Sequence, residues 1–599
     1  MRFIALREHV CIWRTAATEG CRVMLGLLGI EALAAAVALL TAFVYPQLGA
    51  SWFSRVERTW TALARRRGLS VLLCGVLALA LRAALLPIEP VPQPVVHDEF
   101  GYLLAADTFA HWRLTNPPHP MWEHFETFSV LQRPTYQSYA QPAQGMILAI
   151  GRMIFGHPFW GVWLSVGALP AAICWILQAW VGPEWALLGG LLAVLRFATF
   201  GYWASSYWGG SAGAIGGAVV LGALPRVKKS LGVWHVFLLA LGLLILATSR
   251  PYEGLIFSLP VAGALGLWIL GKKSPPFSVI FRRIVIPLTV MLALSALTIG
   301  YYFWRITGSP FRTPYQVERQ TYAFAPLMIW QPIPPRPVYR HPVIQRMYQD
   351  EVGAYFFARS RFGFGFNLLR TCVTIWKFFL GPALTIPILM LLAILPYGLS
   401  WKQVSPSTRL LLIIAGAVLA GLSVELALFS PHYAAPLTCV ILALVLKSMQ
   451  RLRSWQWHGR PTGLFLTRAV PTICVILFIL RILAVPLHIP LPRSHTPAWY
   501  EDGPREFGRA KIDTELSRLT GDQLVIVRYA PEHNYFVEWV YNEADIDKSK
   551  VVWARDMGAA EDEQLVQYFA NRRPWILEAD ENPPRLLPYD NSLAATRMP

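Results

Sequence analysis

Charge is what this 599-residue chain has least of: 15% of its residues are charged and 55% are hydrophobic, with a mean hydropathy of +0.42. A soluble chain carries about a quarter charged residues, so this composition excludes an ordinary soluble globular protein and indicates an integral membrane protein. The seven cysteines (Cys11, Cys21, Cys74, Cys174, Cys372, Cys439 and Cys474) fall mostly inside apolar runs and show no C-x-x-C spacing. Neither a disulfide framework nor a cysteine metal site is therefore indicated. No hydrolase triad is indicated, and no Gly-rich phosphate loop suggests a nucleotide. Internal repeats and low-complexity tracts are also missing. Net charge is +18, which raises the question of nucleic acid. The basic residues, however, cluster in short loops between apolar runs, as the positive-inside rule requires, and no nucleic-acid partner is expected.

What the chain has in abundance is apolar sequence. Runs of spanning character lie near 23–45, 70–87, 159–181, 184–202, 208–224, 233–249, 253–270, 284–304, 371–396, 409–428, 432–447 and 469–487. They predict a polytopic, all-α membrane protein with about 11 to 12 spanning helices. The 24 Trp and 22 Tyr suit its many membrane–water interfaces. Arg65, Arg66 and Arg67, then Arg226, Lys228 and Lys229, then Lys272 with Arg282 and Arg283, Lys402 with Arg409, and Lys447 to Arg460 can all lie on one side. This requires only that the runs alternate strictly from residue 70 onward. That side is the cytoplasm, which puts three polar segments outside: 88–158, 306–370 and 488–599. Within the first, Pro142 to Phe155 is short, contains Arg152 and reads as a helix lying on the outer surface. The first apolar run is basic on both flanks, with Arg2, Arg7, Arg14 and Arg22 before it and Arg55 and Arg58 after it, so its direction stays open. The resulting organisation is an N-terminal basic segment with an extra run (1–69), a transmembrane domain (70–487) and an outer tail (488–599). In the tail, "LVIVRY", "VVWARD" and "WILEAD" read as short buried strands and "EDEQLVQYFANR" as an amphipathic helix, together a small extracytoplasmic α/β domain.

Ionisable groups at membrane depth are costly and normally face a cavity or a partner. Arg82, Arg196, Arg250 with Glu253 in "SRPYEG", Arg305, Arg312, Glu425 and His432 all fall toward the outer ends of their runs. So does "VVHDEFGYLLAADTFA", in which Asp98 is the expected N-cap of a helix beginning near Glu99. Their gathering predicts a polar vestibule at the outer leaflet; the plainer alternative is pairwise salt bridges, Arg250 with Glu253 for example. In such a vestibule a carboxylate is a general base for an acceptor hydroxyl, and arginines hold a phosphate leaving group through bidentate contacts. Gly209, Gly213 and Gly217 in "SYWGGSAGAIGG" read as a close helix-packing face, with Tyr207 and Trp208 bordering the vestibule. His111, His119 and His124 with Glu123 and Glu126 match no metal-ligand spacing and read as polar residues on a surface loop.

The stretches "HDEFGYLLAADTFA" and "QPAQGMILAIGRMIFGHPFWGVWLSVGALPAAICWIL", with the many-span layout, resemble the lipid-linked-sugar glycosyltransferases of the GT-C fold. The nearest groups in style are the protein O-mannosyltransferases, the aminoarabinose transferases and the Rgt-like proteins. The resemblance covers roughly Arg65 to Leu224. It implies an inverting transfer of a sugar from a polyprenyl-phosphate donor to a hydroxyl of a glycan, lipid or protein acceptor. The enzyme would be a multi-pass protein of the plasma (inner) membrane, in contact with its lipids, with site and tail facing outward. It further implies Asp98 as catalytic base and its neighbour Glu99 as positioning the acceptor or donor; beside them, His97, Tyr102, Arg250, Glu253, Arg312, Tyr207, Trp208 and His432 are the candidate substrate-binding residues. Metal dependence varies within the family, so a divalent metal is left open and no cofactor is required. The first apolar run and the α/β tail depart from the family's usual layout. A transporter or flippase, with Glu425 and Arg196 lining a pathway, is the alternative of a different class; a non-catalytic scaffold is a third.

Overall fold

The computed structural model describes residues 26–272, 274–394, 400–425, 429–504 and 508–589. The basic residues Arg2 to Arg22 and the last ten residues of the tail lie outside them. Among the described residues, every apolar run read from the sequence contains a helix. Among the described residues, nine helices are long and apolar enough to cross a membrane. They are α1 (Leu27–Val44), α3 (Arg67–Ala84), α6 (Phe159–Leu177), α10 (Pro251–Ile269), α11 (Phe277–Thr307), α14 (Arg361–Ile394), α15 (Pro406–Val424), α16 (Pro431–Arg453) and α17 (Thr462–Ile482). The runs near 184–202, 208–224 and 233–249 form α7 (Pro183–Phe197), α8 (Ser211–Ser230) and α9 (Val233–Ser249), packed among the others. Proline opens α7, α10 and α15, where its missing N–H costs nothing.

The basic loops collect at one end of this bundle. The surface helix α2 (Ala50–Arg65) anchors there: Trp60 donates to the Glu184 carbonyl at 3.0 Å, and Glu57 pairs with Arg453 at 3.0 Å and Arg468 at 2.9 Å. At the same end Gln178 donates to the Arg67 carbonyl and the Arg226 guanidinium lies 3.9 Å from the Trp175 ring centroid. This is the arrangement that strict alternation of the runs predicts. The direction of α1, open in the sequence, follows from its two ends. Near its start Glu31 meets Tyr500, while at its finish Phe43 packs edge-on against Trp455 and Trp457 in a basic loop. The helix therefore starts at the end opposite the basic loops.

Glu31 is fully buried, and so is Arg196 of α7. The pair sits 3.9 Å apart; the Ala383 amide and the Tyr500 hydroxyl donate to the carboxylate, and the guanidinium donates to the Lys377 and Phe378 carbonyls and to Tyr500. Arg196 thus locks α1 and α14 into the bundle and does not line a vestibule. Arg82 is also spent structurally: its guanidinium donates to the carbonyls of Ala204 and Glu89 and lies over the Phe159 ring.

At the end opposite the basic loops sit α4 (His97–Ala110), a two-stranded hairpin (β1, Val130–Leu131, and β2, Gln137–Ser138), α5 (Pro142–Phe155), α12 (Pro314–Tyr322) and α13 (Pro342–Arg359). The expected surface helix is α5. Leu148, Ala149 and Gly151 are buried in the protein, and Met146, Ile150, Ile154 and Phe155 stay exposed as an apolar stripe. The tail follows with α18 (Arg509–Ser517), β3 (Asp522–Arg528), β4 (Val551–Arg555), α19 (Ala559–Tyr568), β5 (Arg572–Glu578) and β6 (Arg585–Pro588). Its sheet has the order β4-β3-β5-β6, parallel except for the β5–β6 pair. One apolar cluster joins Phe100, Leu104, Phe125, Val130 and Tyr136 of the first loop to Leu524, Ile526, Tyr541 and Val552 of the tail, so loop and tail share a core.

The buried Glu31–Arg196 contact makes a direct prediction. Glu31→Ala strands a buried guanidinium and lowers unfolding stability by about 3–5 kcal/mol, and Glu31→Gln, which keeps the hydrogen-bonding shape, by less. Thermal unfolding of the detergent-solubilised variants checks this; equal stability of both with wild type contradicts the lock.

Candidate active site

The N-terminus of α4 is capped from within, although not by the residue the sequence suggests. The N-cap is Val96, and Glu99 reaches back to it: its Oε2 accepts from the Val95 and Val96 amides at 2.9 and 3.0 Å. Its Oε1 accepts from the Tyr207 amide at 2.9 Å, across the chain. Glu99 is 3% exposed, and burial pushes its pKa up while the three amide donors pull against that. With every contact made to backbone, Glu99 is a positioning residue. It fastens the segment 198–210 to the start of α4.

That fastening releases Asp98. Instead of capping the helix, its carboxylate projects half-buried into a polar cleft, where Oδ1 accepts from Ser129 at 2.9 Å and Tyr139 at 2.7 Å, and Oδ2 accepts from the Trp208 indole at 2.9 Å. All three donors are neutral; Ser129 and Tyr139 flank the hairpin, and Trp208 comes from the segment 198–210. Ser129 holds a positive φ of 63°, a strained conformation for a residue with a Cβ. The hairpin carrying it can approach α4 only because residue 101 is glycine; a Cβ there would lie 2.8 Å from the Ser129 carbonyl oxygen.

Across the cleft lies Arg250, in the turn between α9 and α10. Its guanidinium sits 5.0 Å from the Tyr433 ring centroid, and among the described residues it makes no hydrogen bond or ion pair. The anticipated Arg250–Glu253 salt bridge does not form, although Glu253 is only 4% exposed and, with Glu425, lies in the field of Arg250. Tyr102 and Tyr433 each lie in the fields of both Asp98 and Arg250. Buried His432 contacts the Tyr202 hydroxyl through Nδ1 at 3.0 Å and lies 4.9 Å from the Trp208 ring, forming the floor behind Asp98. The glycine stripe behaves as a packing face: a Cβ on Gly217 would lie 2.5 Å from the Pro436 carbonyl oxygen, and one on Gly213 would touch the Arg250 side chain at 3.4 Å.

Other sequence candidates go elsewhere. His97 turns to the tail, with Nε2 2.6 Å from the Tyr535 carbonyl and its ring stacked on Phe128. The Tyr207 hydroxyl donates to the Pro92 carbonyl. Arg312 is exposed and bonded to Gln320, with no contact to the Asp98 cluster. His119, His124 and Glu126 are buried, not on the surface of a loop: they bind Asp547, the Arg555 carbonyl, and Tyr322 with Arg340 and His341, and so dock the loop onto the tail and onto residues 306–370. Among the described residues no three His, Cys, Asp or Glu side chains gather as a metal cage, and the oxygens of Glu99 are taken by amides.

Four residues at the site escaped the sequence reading. Ser129 and Tyr139 are brought to Asp98 by the hairpin. Arg370, in a cleft between α14 and α15 lined by Leu368, Leu422, Glu425 and Tyr433, has a buried Nε without a hydrogen-bond partner. Glu318 of α12 is 5% exposed, accepts from Tyr348 and lies in the field of Asp98. Burial pushes its pKa up to about 7, against the pull of Arg319.

No family model matches the chain, and no curated protein matches it. Among solved structures it is similar to the oligosaccharyltransferase of Archaeoglobus fulgidus tethered with an acceptor peptide, at 10% identity and a TM-score of 0.47 over 85% of this chain and 69% of that one. It is similar to the same organism's AglB in complex with an inhibitory peptide and a dolichol-phosphate, at 12% identity and a TM-score of 0.44 over 85% and 69%. ArnT from Cupriavidus metallidurans in the apo state gives 11% identity and a TM-score of 0.45 over 84% and 92%.

Glu318 gives a pH dependence of definite sign. Its folded-state pKa, about 7, is raised above the ordinary carboxylate value. The stability it contributes is therefore complete below the unfolded pKa and is lost as pH rises through about 7. Glu318→Gln, neutral at all pH, is expected to exceed wild type by about 3 kcal/mol near pH 8 and to match it more closely near pH 5. Thermal unfolding at the two pH values decides it; a uniform offset contradicts the raised pKa.

Proposed function

We propose that this chain is an inverting, GT-C-like glycosyltransferase of the plasma membrane that moves a sugar from a polyprenyl-phosphate donor to an acceptor hydroxyl on the extracytoplasmic side. The single observation that carries the reading is Asp98, held half-buried by three neutral donors, with the unpaired guanidinium of Arg250 sharing its field at Tyr102 and Tyr433. The resemblance of "HDEFGYLLAADTFA" to the first-loop motif of such enzymes supports it. So does the collection of basic loops at the other end of the bundle, which under the positive-inside rule favours an extracytoplasmic cleft.

Chemically, the acceptor hydroxyl gives its proton to an Asp98 oxygen as its own oxygen bonds to the anomeric carbon. On the opposite face the bond from that carbon to the phosphate oxygen breaks, and the electron pair leaves with the lipid phosphate. Arg250 meets the developing phosphate charge through a two-pronged donor geometry that matches it. The cleft between α14 and α15 offers Arg370 to the same anion and Leu368 and Leu422 to the start of the lipid chain. Ser129, Tyr139 and Trp208 fix the carboxylate's orientation, so that little reorganisation is needed when the acceptor arrives. The hydroxyl acceptor, the hexose or pentose transferred and the lipid donor are parts of this one proposal.

Purified protein in lipid, incubated with radiolabelled polyprenyl-phosphate sugars and a membrane extract as acceptor pool, tests it. Asp98→Asn is expected to lose about 10²–10⁴ of the transfer rate with donor binding retained, the range for a positioned general base. Arg250→Ala is expected to weaken donor binding as well as rate. Transfer by Asp98→Asn at the wild-type rate would sink the role given to Asp98.

A further inference from the structure

A second cleft, of about 500 Å³, opens behind α4, where the first loop meets the tail. At 100° per residue, Phe100, Leu103, Leu104 and Asp107 share one face of this helix, and Asp98 and Tyr102 occupy the opposite face. The first set lines the rear cleft; the tail supplies the facing wall from α18, residues 541–543 and the start of β4.

Its chemistry differs from that of the Asp98 cleft. Three carboxylates, Asp107, Asp513 and Glu543, alternate with three cations, Arg152, Arg509 and Lys550. A ligand of one charge sign would meet as many repulsive as attractive groups. A chain of hydroxyls, each a donor and an acceptor, can satisfy both kinds at once. The wall is also built in advance. Asp107 accepts from the Ala544 amide at 2.8 Å and pairs with Arg152 at 3.0 Å. Arg509 is buried over the rings of Phe100 and Trp553 and donates to the Trp539 and Tyr541 carbonyls. Phe100 and Tyr541 stack at 4.0 Å with a 2° interplanar angle, joining the two walls. A preformed polar cleft of this size is what a small-ligand site requires, and its ordering cost is already met.

We propose that this rear cleft is a glycan site, binding a neutral, hydroxyl-rich sugar chain about one helix diameter (about 10 Å) behind Asp98. In the context of transfer, the chain is the body of the acceptor. That last step rests on the transferase reading, whereas the binding does not. The small tail then has a purpose that its fold alone does not reveal: it is half of the recognition site.

The test uses the full-length protein in lipid nanodiscs on an array of neutral and anionic oligosaccharides, with Kd measured by calorimetry for the strongest binder. Two variants sit on the exposed rim, Glu543→Ala and the steric plug Ser517→Trp, and unfolding temperatures equal to wild type confirm that they fold. Wild type is expected to bind at least one neutral oligosaccharide, with Kd weakened about tenfold or more by each variant. Asp98→Asn is expected to bind it as wild type does, which separates failure of this site from failure of the transfer mechanism. Binding of anionic oligosaccharides alone, binding of none, or undiminished binding by the plugged variant overturns the proposal.

Discussion

The arrangement at the outer end of this protein depends on where one buried carboxylate finds its protons. Glu99 is buried and pairs with no cation among the described residues; it takes three backbone amides: two from the residues that lead into α4 and one from Tyr207, more than a hundred residues later. A buried carboxylate without such donors costs several kcal/mol, and a helix N-terminus without a cap leaves its own amides unpaired. One side chain meets both demands. The consequence is geometric: the segment carrying Trp208 is fixed against α4, and the neighbouring carboxylate, Asp98, is left free of capping duty and held by side chains alone.

A second principle separates the charges of the bundle. Most buried cations end on carbonyls or on a carboxylate. Arg196 has Glu31 and two carbonyls, Arg82 has two carbonyls, and Arg555 has Glu538 and the Glu126 carbonyl. Such groups are structural because their hydrogen-bonding capacity is used. Arg250 differs, being surrounded by aromatic faces and acidic groups that stop short of contact. Uncommitted charge at the rim of a membrane bundle is what an anionic group of a ligand can recruit at least cost, since no existing contact is broken.

The many-span layout and the tail's strands and helix were legible in the sequence, because apolar runs and strand-length apolar segments are local signals. So was Asp98, as a carboxylate just beyond a span. The capping assignment failed by two residues for an identifiable reason. Asp, Ser and Thr are the familiar N-caps, yet a Glu three residues into the helix can reach back to the N-cap amide, and Val96 followed by Glu99 carries that half of the pattern. The histidines and Glu126 were misread because their partners lie up to 431 residues away, in the tail or beyond α11. Ser129 and Tyr139 carried no signal of their own; only the hairpin's closure over Gly101 brings them to Asp98. Spacing predicts neighbours along a helix, not donors that arrive through a fold.

The most direct measurement is an experimental structure of the full chain in lipid with a polyprenyl-phosphate bound. The account predicts the phosphate against the Arg250 guanidinium, with its sugar-bearing oxygen directed toward Asp98 and the lipid chain leaving between α14 and α15. A phosphate seated elsewhere, with Arg250 untouched and the space before Asp98 closed, would contradict it.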